Sequence, residues 1–360
     1  MDPDEAVAAD SVPGSAGRVR LSDVARHVGV SIGTVSNVLN HPERVAPATQ
    51  TTVLAAIREL GFVPNQSARV LTGAPSNVIA LVVLDVMSPF FMEAADAVER
   101  LARERGHVVM LCNSQNDRAK EAELLHLLGG QRVRGVVLVP AAGDDPVAER
   151  IRGRLPVVLM DHEGVEDCCS VAVDDVSGAD MAATHLLGLG HRRLAFVGGP
   201  RDLRQMSQRA LGMRRALERA GFDPAAALTE VYVETGIGIR AGMEAAERLL
   251  SAGLPTGIVC GNDMLAFGVY RVLHRAGIAV PDDVALIGYD DIDVAADWIV
   301  PLTSVRQPTQ EMGYRAAQLL LEDTGQPGHV HQHVQLQPEL VVRNSCGALM
   351  VPNRHSAVAG

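Results

Sequence analysis

The sequence has few cysteines and few aromatic residues. Its 360 residues include five cysteines, with no Cys-x-x-Cys pair, and aromatic side chains make up only 3% of the chain. An odd, scattered set of five cysteines cannot hold a chain of this size together by disulfides, so a reducing, cytoplasmic compartment is expected. The adjacent Cys168 and Cys169 have no histidine or cysteine at metal-ligand spacing. We interpret them as ordinary small residues rather than a metal or redox site.

The sequence also lacks a long apolar run and an N-terminal targeting pattern. No apolar stretch approaches the ~20 residues of a membrane-spanning helix, so no membrane partner is expected. Residues 1–17 are acidic and small, without the basic and then apolar segments of a secretory signal. They are expected to form a disordered leader.

Composition indicates a globular protein of more than one domain. Hydrophobic residues make up 47% of the chain, enough for two or three buried cores. A net charge of −11 argues against nucleic acid for the chain as a whole. Residues 17–73, however, carry six arginines against three acidic residues, a net charge of +3. A basic head on an acidic body can bind phosphates through one face.

Residues 21–40 have the pattern of a helix, a tight turn and a second helix. Gly29 ends the first helix and Ser31 can cap the second. On the second helix, Val35 and Val38 can pack back on the first. The apolar stripe of the first helix is formed by Val24, Ala25 and Val28.

A third helix is expected from about Ala48 to Leu60, ending at Gly61. Its predicted buried stripe is formed by Val53, Leu54, Ile57 and Leu60. Three short helices around one core match the helix-turn-helix architecture. The alternative is a structural appendage whose polar residues are merely solvated.

The residue order in this region closely resembles the LacI/GalR family of bacterial regulators. It reads D-V-A-x-x-x-G-V-S-x-x-T-V-S-x-V-L-N and then V-L-A-A-I-x-E-L-G-F-x-P-N-x-x-A-R-x-L. The match runs nearly without gaps from about Val19 to Leu71, and the chain beyond resembles the family's effector domain. The resemblance implies a transcription repressor that binds a palindromic double-stranded DNA operator as a homodimer, under control of a small-molecule effector.

By this resemblance the second helix enters the major groove and places Ile32, Gly33 and Asn37 at base edges. Arginine is common in the family where Asn37 stands. Asparagine favours adenine where arginine favours guanine, so an altered operator core is expected. Ile32 can offer only apolar contact. The hydroxyl residues on the same helix start are expected to contact phosphates: Ser31, Thr34 and Ser36.

A hinge is expected between the head and the large domain. Asn65 can cap a short helix that is marginal alone. The resemblance implies that it orders in the operator's minor groove, where Leu71 acts as the wedge and Arg69 contacts the backbone or groove edge. The alternative is a flexible linker with an incidental leucine.

After Asn77, apolar strand-like runs alternate with helix-like stretches, which indicates repeated βαβ units. Because the runs are continuous rather than alternating, they predict parallel sheets buried on both faces. The predicted fold class is therefore an all-α helix-turn-helix head plus an α/β effector domain. The effector domain is expected to resemble periplasmic binding proteins and to consist of two doubly wound parallel-sheet subdomains. The predicted strands are Val78–Val83, His107–Cys112, Gly135–Pro140, Val157–Asp161, Arg193–Gly198, Gly257–Cys260 and Val284–Gly288.

In open sheets of this kind, ligands bind beyond the carboxyl ends of the strands, here in the cleft between the subdomains. The resemblance makes Arg209 and Asp290 the most typical effector contacts. A guanidinium and carboxylates suit the vicinal hydroxyls of a sugar. The complete predicted set is Ser88, Phe90, Asp161, Arg209, Asn262 and Asp290.

Two other classes of function were weighed. A cleft-type solute-binding receptor is disfavoured by the intact helix-turn-helix and the absence of a signal peptide. An enzyme is disfavoured because Asp290 and Asp291, adjacent at a strand end, should point to opposite sides and cannot flank one substrate atom. Trp298 is interpreted as core rather than sugar platform. The alternating histidines from His329 to His333 could suggest a metal site, but a solvated loop running into a strand is the preferred interpretation. No cofactor and no metal site are expected.

The domain layout follows the family's three connections between subdomains, expected near Val173 to Asp174, Ser304 to Gln307 and Val334 to Gln337. The tail lacks a leucine heptad, so a dimer without a tail-made tetramer is predicted. The predicted ranges are a leader at 1–17, a DNA-binding head at 18–64, a hinge and linker at 65–76, an effector and dimerisation domain at 77–343 (one subdomain about 77–173 and 307–334, the other about 174–306 and 335–343) and a tail at 344–360.

Overall fold

A computed structural model describes residues 19–62, 76–142, 155–165, 168–323 and 329–348. The chain divides into two compact units, residues 1–75 and 76–360. No helix within these described ranges is both long and apolar enough to cross a membrane.

Within residues 19–62, the described part of the first unit, three α-helices form: α1 (Leu21–Val28), α2 (Ile32–Asn40) and α3 (Pro47–Leu60). Gly29 and Gly61, with φ of 75° and 64°, end α1 and α3 in the left-handed region, as predicted. The Ser31 hydroxyl caps α2 by accepting a hydrogen bond from the Thr34 amide at 3.0 Å. The buried core of this unit consists of Val24, Ala25, Val35, Val38, Val53 and Ala56.

The predicted buried stripe of α3 was wrong at one position. Leu54 is 40% exposed, and Ala56 is buried instead. Residues 53, 56, 57 and 60 follow the spacing of one helical face, whereas residue 54 lies about 100° around the helix from residue 53.

The second unit alternates strands and helices from β1 (Val78–Val83) onward, and its secondary structure confirms the predicted α/β class. The remaining strands are β2 (Val108–Asn113), β3 (Val136–Leu138), β4 (Val157–Met160), β5 (Cys169–Val173), β6 (Leu194–Gly198), β7 (Leu228–Tyr232), β8 (Gly257–Cys260), β9 (Ala285–Asp290), β10 (Thr303–Arg306), β11 (His333–Leu336) and β12 (Glu339–Val341). Its helices are α4 (Pro89–Glu104), α5 (Arg118–Gly130), α6 (Asp175–Gly188), α7 (Arg204–Arg219), α8 (Pro224–Ala227), α9 (Ile239–Ala252), α10 (Asp263–Arg275) and α11 (Thr309–Asp323).

In the part of the chain that the structure describes, the strands form two six-stranded sheets. The first has the order β11-β5-β4-β3-β1-β2 and is parallel throughout, and the second has the order β12-β10-β9-β8-β6-β7, with only β12 antiparallel. All seven predicted strands are present, with ends displaced by at most two residues. Four shorter or more polar strands were missed: β5, β7, β10 and β12. The strand that the histidine-containing loop was expected to enter is β11.

Burial on both faces does not extend to the edge strand β2. Val108 is 59% exposed, and Met110 and Leu111 are also exposed in the single chain. The continuous apolar run that predicted this strand therefore reflects an edge whose apolar side chains face outward, not a central strand.

The chain passes between the two sheets three times. It leaves the first sheet after β5, returns from β10 to α11 through Gln307, and leaves again between β11 and β12 at Gln337 and Pro338. Helices cover the sheets. Trp298 is half-buried and packs against the core of the second half, stacked on Phe267 with ring centroids 4.1 Å apart. It lies among core residues rather than in the lining of the cleft pocket.

Candidate functional site

The exposed face of α2 carries the residues expected to meet DNA. Ile32 is 53% exposed, and Gly33 and Asn37 are exposed beside it. The Ser31 and Thr34 hydroxyls are 2.9 Å apart and hold each other at the helix start. Ser36 accepts a hydrogen bond from Asn40 at 3.3 Å. The hinge residues expected to enter the minor groove, Asn65, Arg69 and Leu71, lie outside the described residues.

In the second unit, one pocket contains all six side chains predicted to contact an effector. It lies between the carboxyl ends of the two sheets and has a volume of about 370 Å³, including its open mouth. The predicted residues that line it are Ser88, Phe90, Asp161, Arg209, Asn262 and Asp290, joined by Leu84, Phe91, Leu203, Gln205, Met206, Ile237 and Gln307.

Arg209, on α7, is the centre of this pocket and is only 3% exposed. Its Nε donates to Asp175 Oδ1 at 2.7 Å, its Nη1 donates to the carbonyl of Gly261, and the same nitrogen lies 3.9 Å from Asp290 Oδ1. The guanidinium also stacks over the Tyr289 ring, 3.6 Å from its centroid. Arg209 is thus held rigidly, which preorganises its remaining donor capacity for a ligand.

A glycine allows Asp175 to reach Arg209. Gly212 lies one turn after Arg209, where α7 packs against α6, and a side chain there would clash with the backbone carbonyl of Val176. The absence of a Cβ lets the two helices approach closely. Asp175, the first residue of α6, therefore lies within hydrogen-bonding distance of the guanidinium.

The two aspartates at strand ends adopt unusual backbone conformations. Asp161 follows β4 with φ of 56°, and Asp290 ends β9 with φ of 103°. Aspartate and asparagine tolerate this region better than most residues. The turns direct both carboxyl groups into the pocket, while the next residue, Asp291, pairs instead with Arg306 and Arg343. Asp290 and Asp291 therefore point to different sides, as predicted.

The third polar side chain from a strand end is Asn262. Its Oδ1 accepts from the Leu265 amide at 2.8 Å and caps α10. That contact fixes the side chain at the pocket wall, where its amide group can still donate.

Burial sets the electrostatics of the pocket. It raises the pKa of Asp290 to about 8, with Arg209 opposing the shift. Burial and the neighbouring Asp175 likewise raise the pKa of Asp161, and burial raises that of Asp175. Burial lowers the pKa of Arg209, but the charge of Asp175 and other neighbours outweighs it, and the net shift is upward. The pocket therefore combines a permanent cation with carboxyl groups that gain or lose protons near neutral pH.

Two glutamines join the parts of this pocket and were not predicted from the sequence. Gln205 Nε2 donates to the carbonyl and carboxylate oxygens of Asp161, at 3.0 and 2.7 Å, and so connects the two halves across the cleft. Gln307 Nε2 donates to Asp290 Oδ1 at 2.8 Å. The sequence does contain a signal that could have identified each glutamine. Gln205 precedes Arg209 by one helical turn, and Gln307 lies in a predicted connection between subdomains.

Part of the pocket lining is apolar. Phe90 and Phe91 contact each other edge to face, with ring centroids 5.2 Å apart, and both rings are buried. An aromatic wall facing hydrogen-bonding groups can bind a ring that has one apolar face and polar edges.

The fold and site define a class of protein: a helix-turn-helix head carried by a two-sheet binding domain with its ligand pocket in the cleft. Two family models match the chain, one for each part of this architecture. "Bacterial regulatory proteins, lacI family" matches residues 20–65, and "Periplasmic binding protein-like domain" matches residues 183–346.

Known proteins are similar over nearly the whole chain. The ribose operon repressor of Escherichia coli K12 is 36% identical over 330 residues, covering 90% of this chain and 99% of the repressor. Two solved structures are also similar. A complex of the transcriptional regulator CelR with cellobiose has a TM-score of 0.68 and 32% identity, and the match covers 91% of this chain and 100% of that one. A Lac repressor dimer bound to operator and the anti-inducer ONPF has a TM-score of 0.78 and 26% identity, and the match covers 91% of this chain and 99% of that one.

The chain belongs to the LacI family of bacterial regulatory proteins, and its function is DNA-binding transcription regulation rather than enzymatic catalysis.

Proposed function

We propose that the protein is a cytoplasmic repressor that binds a palindromic operator as a homodimer and changes its operator affinity when a monosaccharide occupies the cleft. The observation that carries the effector assignment is the buried Arg209, which is bonded to Asp175 and lies 3.9 Å from Asp290. Asp161 and Phe90 line the same pocket.

The chemistry of the pocket favours a sugar. A guanidinium donates to hydroxyl oxygens and carboxylates accept from hydroxyl hydrogens, so together they can bind vicinal hydroxyls, while Phe90 covers an apolar face of the ring. Ser88 and Asn262 add buried polar groups to the lining. The names of two relatives, a ribose operon repressor and a cellobiose-bound regulator, agree with this class.

The groups that line the pocket favour a small sugar. The Arg209 guanidinium, the carboxyl groups of Asp161 and Asp290 and the Phe90 ring all line one pocket. Together they match the hydroxyls and one face of a single sugar ring, so a monosaccharide is the expected ligand.

The DNA-binding role is assigned to α2 and the hinge. Asn37 is exposed and available to pair with adenine in the major groove, and Ile32 can contact a thymine methyl. Ser31, Thr34 and Ser36 are assigned to phosphates. Asn65, Arg69 and Leu71 are assigned to the hinge helix on the sequence resemblance alone, with the head at about 18–64 and the effector domain at about 77–343.

Selection of bound sequences from a random duplex pool tests this function. The full-length protein is used at fixed salt, alone and with each of a panel of monosaccharides, disaccharides and nucleobases. Enrichment of a two-fold symmetric site, lost or strengthened with one monosaccharide, is the expected result.

Two outcomes would contradict the proposal. Absence of any enriched site under all conditions removes the operator assignment and favours a solute-binding receptor. A symmetric site that responds only to a nucleobase or a disaccharide removes the monosaccharide assignment while keeping the operator.

A further inference from the structure

A cysteine and two histidines come together at the edge of the first sheet, away from the residues that line the effector pocket. Cys169 Sγ lies 3.1 Å from His329 Nε2 and 3.9 Å from His331 Nδ1. The three potential ligand atoms all lie within 4.8 Å of one another. Cys169 is buried, and the two histidines are half-buried, so the group opens toward solvent on the imidazole side.

Sheet pairing, not sequence spacing, assembles this group. Strand β11 pairs in parallel with β5, with His333 opposite Ser170. The Ser170 amide donates to the Gln332 carbonyl at 2.9 Å, which extends the pairing into the segment that carries His329 and His331. The ligand partners of Cys169 are therefore 160 and 162 residues away, where no local motif would reveal them.

The distances match those required by a tetrahedral metal ion. Zinc binds thiolate sulfur at about 2.3 Å and imidazole nitrogen at about 2.0–2.1 Å, so sulfur and nitrogen ligands on a tetrahedron are about 3.5 Å apart. The two sulfur–nitrogen distances in this chain lie on either side of that value. Since the group consists of one thiol and two imidazoles, it favours zinc over magnesium or calcium, which prefer oxygen ligands.

A backbone amide supports the thiolate form that metal binding requires. The Gln332 N–H donates to Cys169 Sγ at 3.3 Å. Hydrogen bonds of this kind orient a metal ligand and stabilise its negative charge. When a metal binds, the thiol proton leaves to solvent, so affinity should increase with pH.

We infer that Cys169, His329 and His331 form a Zn²⁺ site that joins the start of β5 to the segment before β11. The three protein ligands leave a fourth coordination position for water. β5 leads into the first connection between the sheets and β11 into the third, so the ion links the two strands that precede these connections. This inference does not depend on the identity of the effector.

Cobalt titration of the full-length protein tests the site. The protein is stripped with a chelator, kept reduced, and titrated with Co²⁺, which reports tetrahedral thiolate coordination by its visible and near-ultraviolet absorption. The expected result is one equivalent per chain with a sulfur-to-cobalt charge-transfer band, displaced by Zn²⁺.

Variants assign the signal to these residues. Cys169→Ser should remove the charge-transfer band, and His331→Gln should weaken Co²⁺ binding at least tenfold, on the order expected for loss of a ligand. Two matched controls should bind as the unmodified protein does. Cys168→Ser changes the adjacent thiol, which packs in a different core cluster, and His333→Gln changes a histidine that contacts Ser170 at 3.1 Å.

The inference is overturned if no charge-transfer band forms, or if the band persists in Cys169→Ser. Should Cys169→Ser fail to fold, because that residue is buried, the decision rests on His329→Gln and His331→Gln, whose side chains are half-buried. Unchanged Co²⁺ affinity in both of these histidine variants would equally refute the site.

Discussion

The sharpest test of the effector pocket is Asp290→Asn. Asp290 Oδ1 accepts from Gln307 at 2.8 Å, and within the described residues its Oδ2 has no hydrogen-bond donor, which leaves that oxygen for a ligand hydroxyl. The substitution keeps the shape and tolerates the φ of 103° at this position. With the new amide oxygen held by Gln307, a nitrogen donor replaces the second acceptor.

The expected magnitude follows from losing one hydrogen bond to a charged group. Such a bond contributes about 1.5–3 kcal/mol, so above pH 8, where Asp290 with its pKa of about 8 is ionised, effector affinity should fall about 10- to 150-fold. Operator affinity without effector should be unchanged, because no predicted DNA contact is altered. Fluorescence anisotropy of a labelled operator, titrated with effector, measures both quantities.

Asp293→Asn is the matched control, since it changes an exposed aspartate three residues further along the same segment. Circular dichroism should show that both variants remain folded. If Asp290→Asn is folded and responds to effector at the same concentration as the unmodified protein, the carboxylate does not contact the ligand and the reasoning about this pocket fails.

Three further predictions concern the titration of Asp290 in the pocket and the base and capping contacts of α2. Effector affinity should rise from pH 6 to 8 and then level off, because Asp290, with a pKa of about 8, holds a proton in the free protein that ligand hydroxyls displace. Calorimetry in two buffers measures the proton release, and pH-independent binding would contradict the prediction. Asn37→Arg should shift the selected operator from adenine to guanine at one symmetric position, a preference of about 1–3 kcal/mol, whereas an unchanged operator would remove Asn37 from the base contacts. Ser31→Ala should speed hydrogen exchange at the Thr34 amide about fivefold through loss of a cap worth ~1 kcal/mol, with Ser36→Ala as the control and equal exchange in both as the contrary result.

The sequence predicted the elements with strong local signals. Apolar runs such as Val78–Val83 and the stop at Gly29 depend on nearest neighbours, and the structure reproduces them. At Thr303–Arg306 the sequence predicts only a connection, because four mixed residues carry no periodicity of their own. They become a strand by pairing with β9 and β12. Leu54 was misplaced because an apolar residue one position off the buried face looks the same in sequence.

The pocket was partly predictable for a similar reason. Asp161 and Asp290 end apolar strands, and strand ends of parallel sheets converge, so their meeting follows from topology. Asp175 could not be selected in this way, since its contact with Arg209 depends on the close approach of two helices at Gly212. The neighbours of Cys169 were equally hidden, because they come from the segment before β11, 160 and 162 residues away.

The residues found only in the structure explain how occupancy of the pocket can control the arrangement of the two sheets. Asp175 begins just after the first connection, Gln307 lies within the second, and Gln205 spans the cleft to Asp161. A ligand that hydrogen-bonds to Arg209 and Asp290 therefore competes with Asp175 and Gln307, the residues that bond to these two side chains from the connections. Allosteric coupling is typically about 1–3 kcal/mol. One or two of these hydrogen bonds, gained or lost on closure, supply a coupling free energy of this size. A more extended pathway through the domain is therefore not needed to link ligand binding to movement of one sheet against the other.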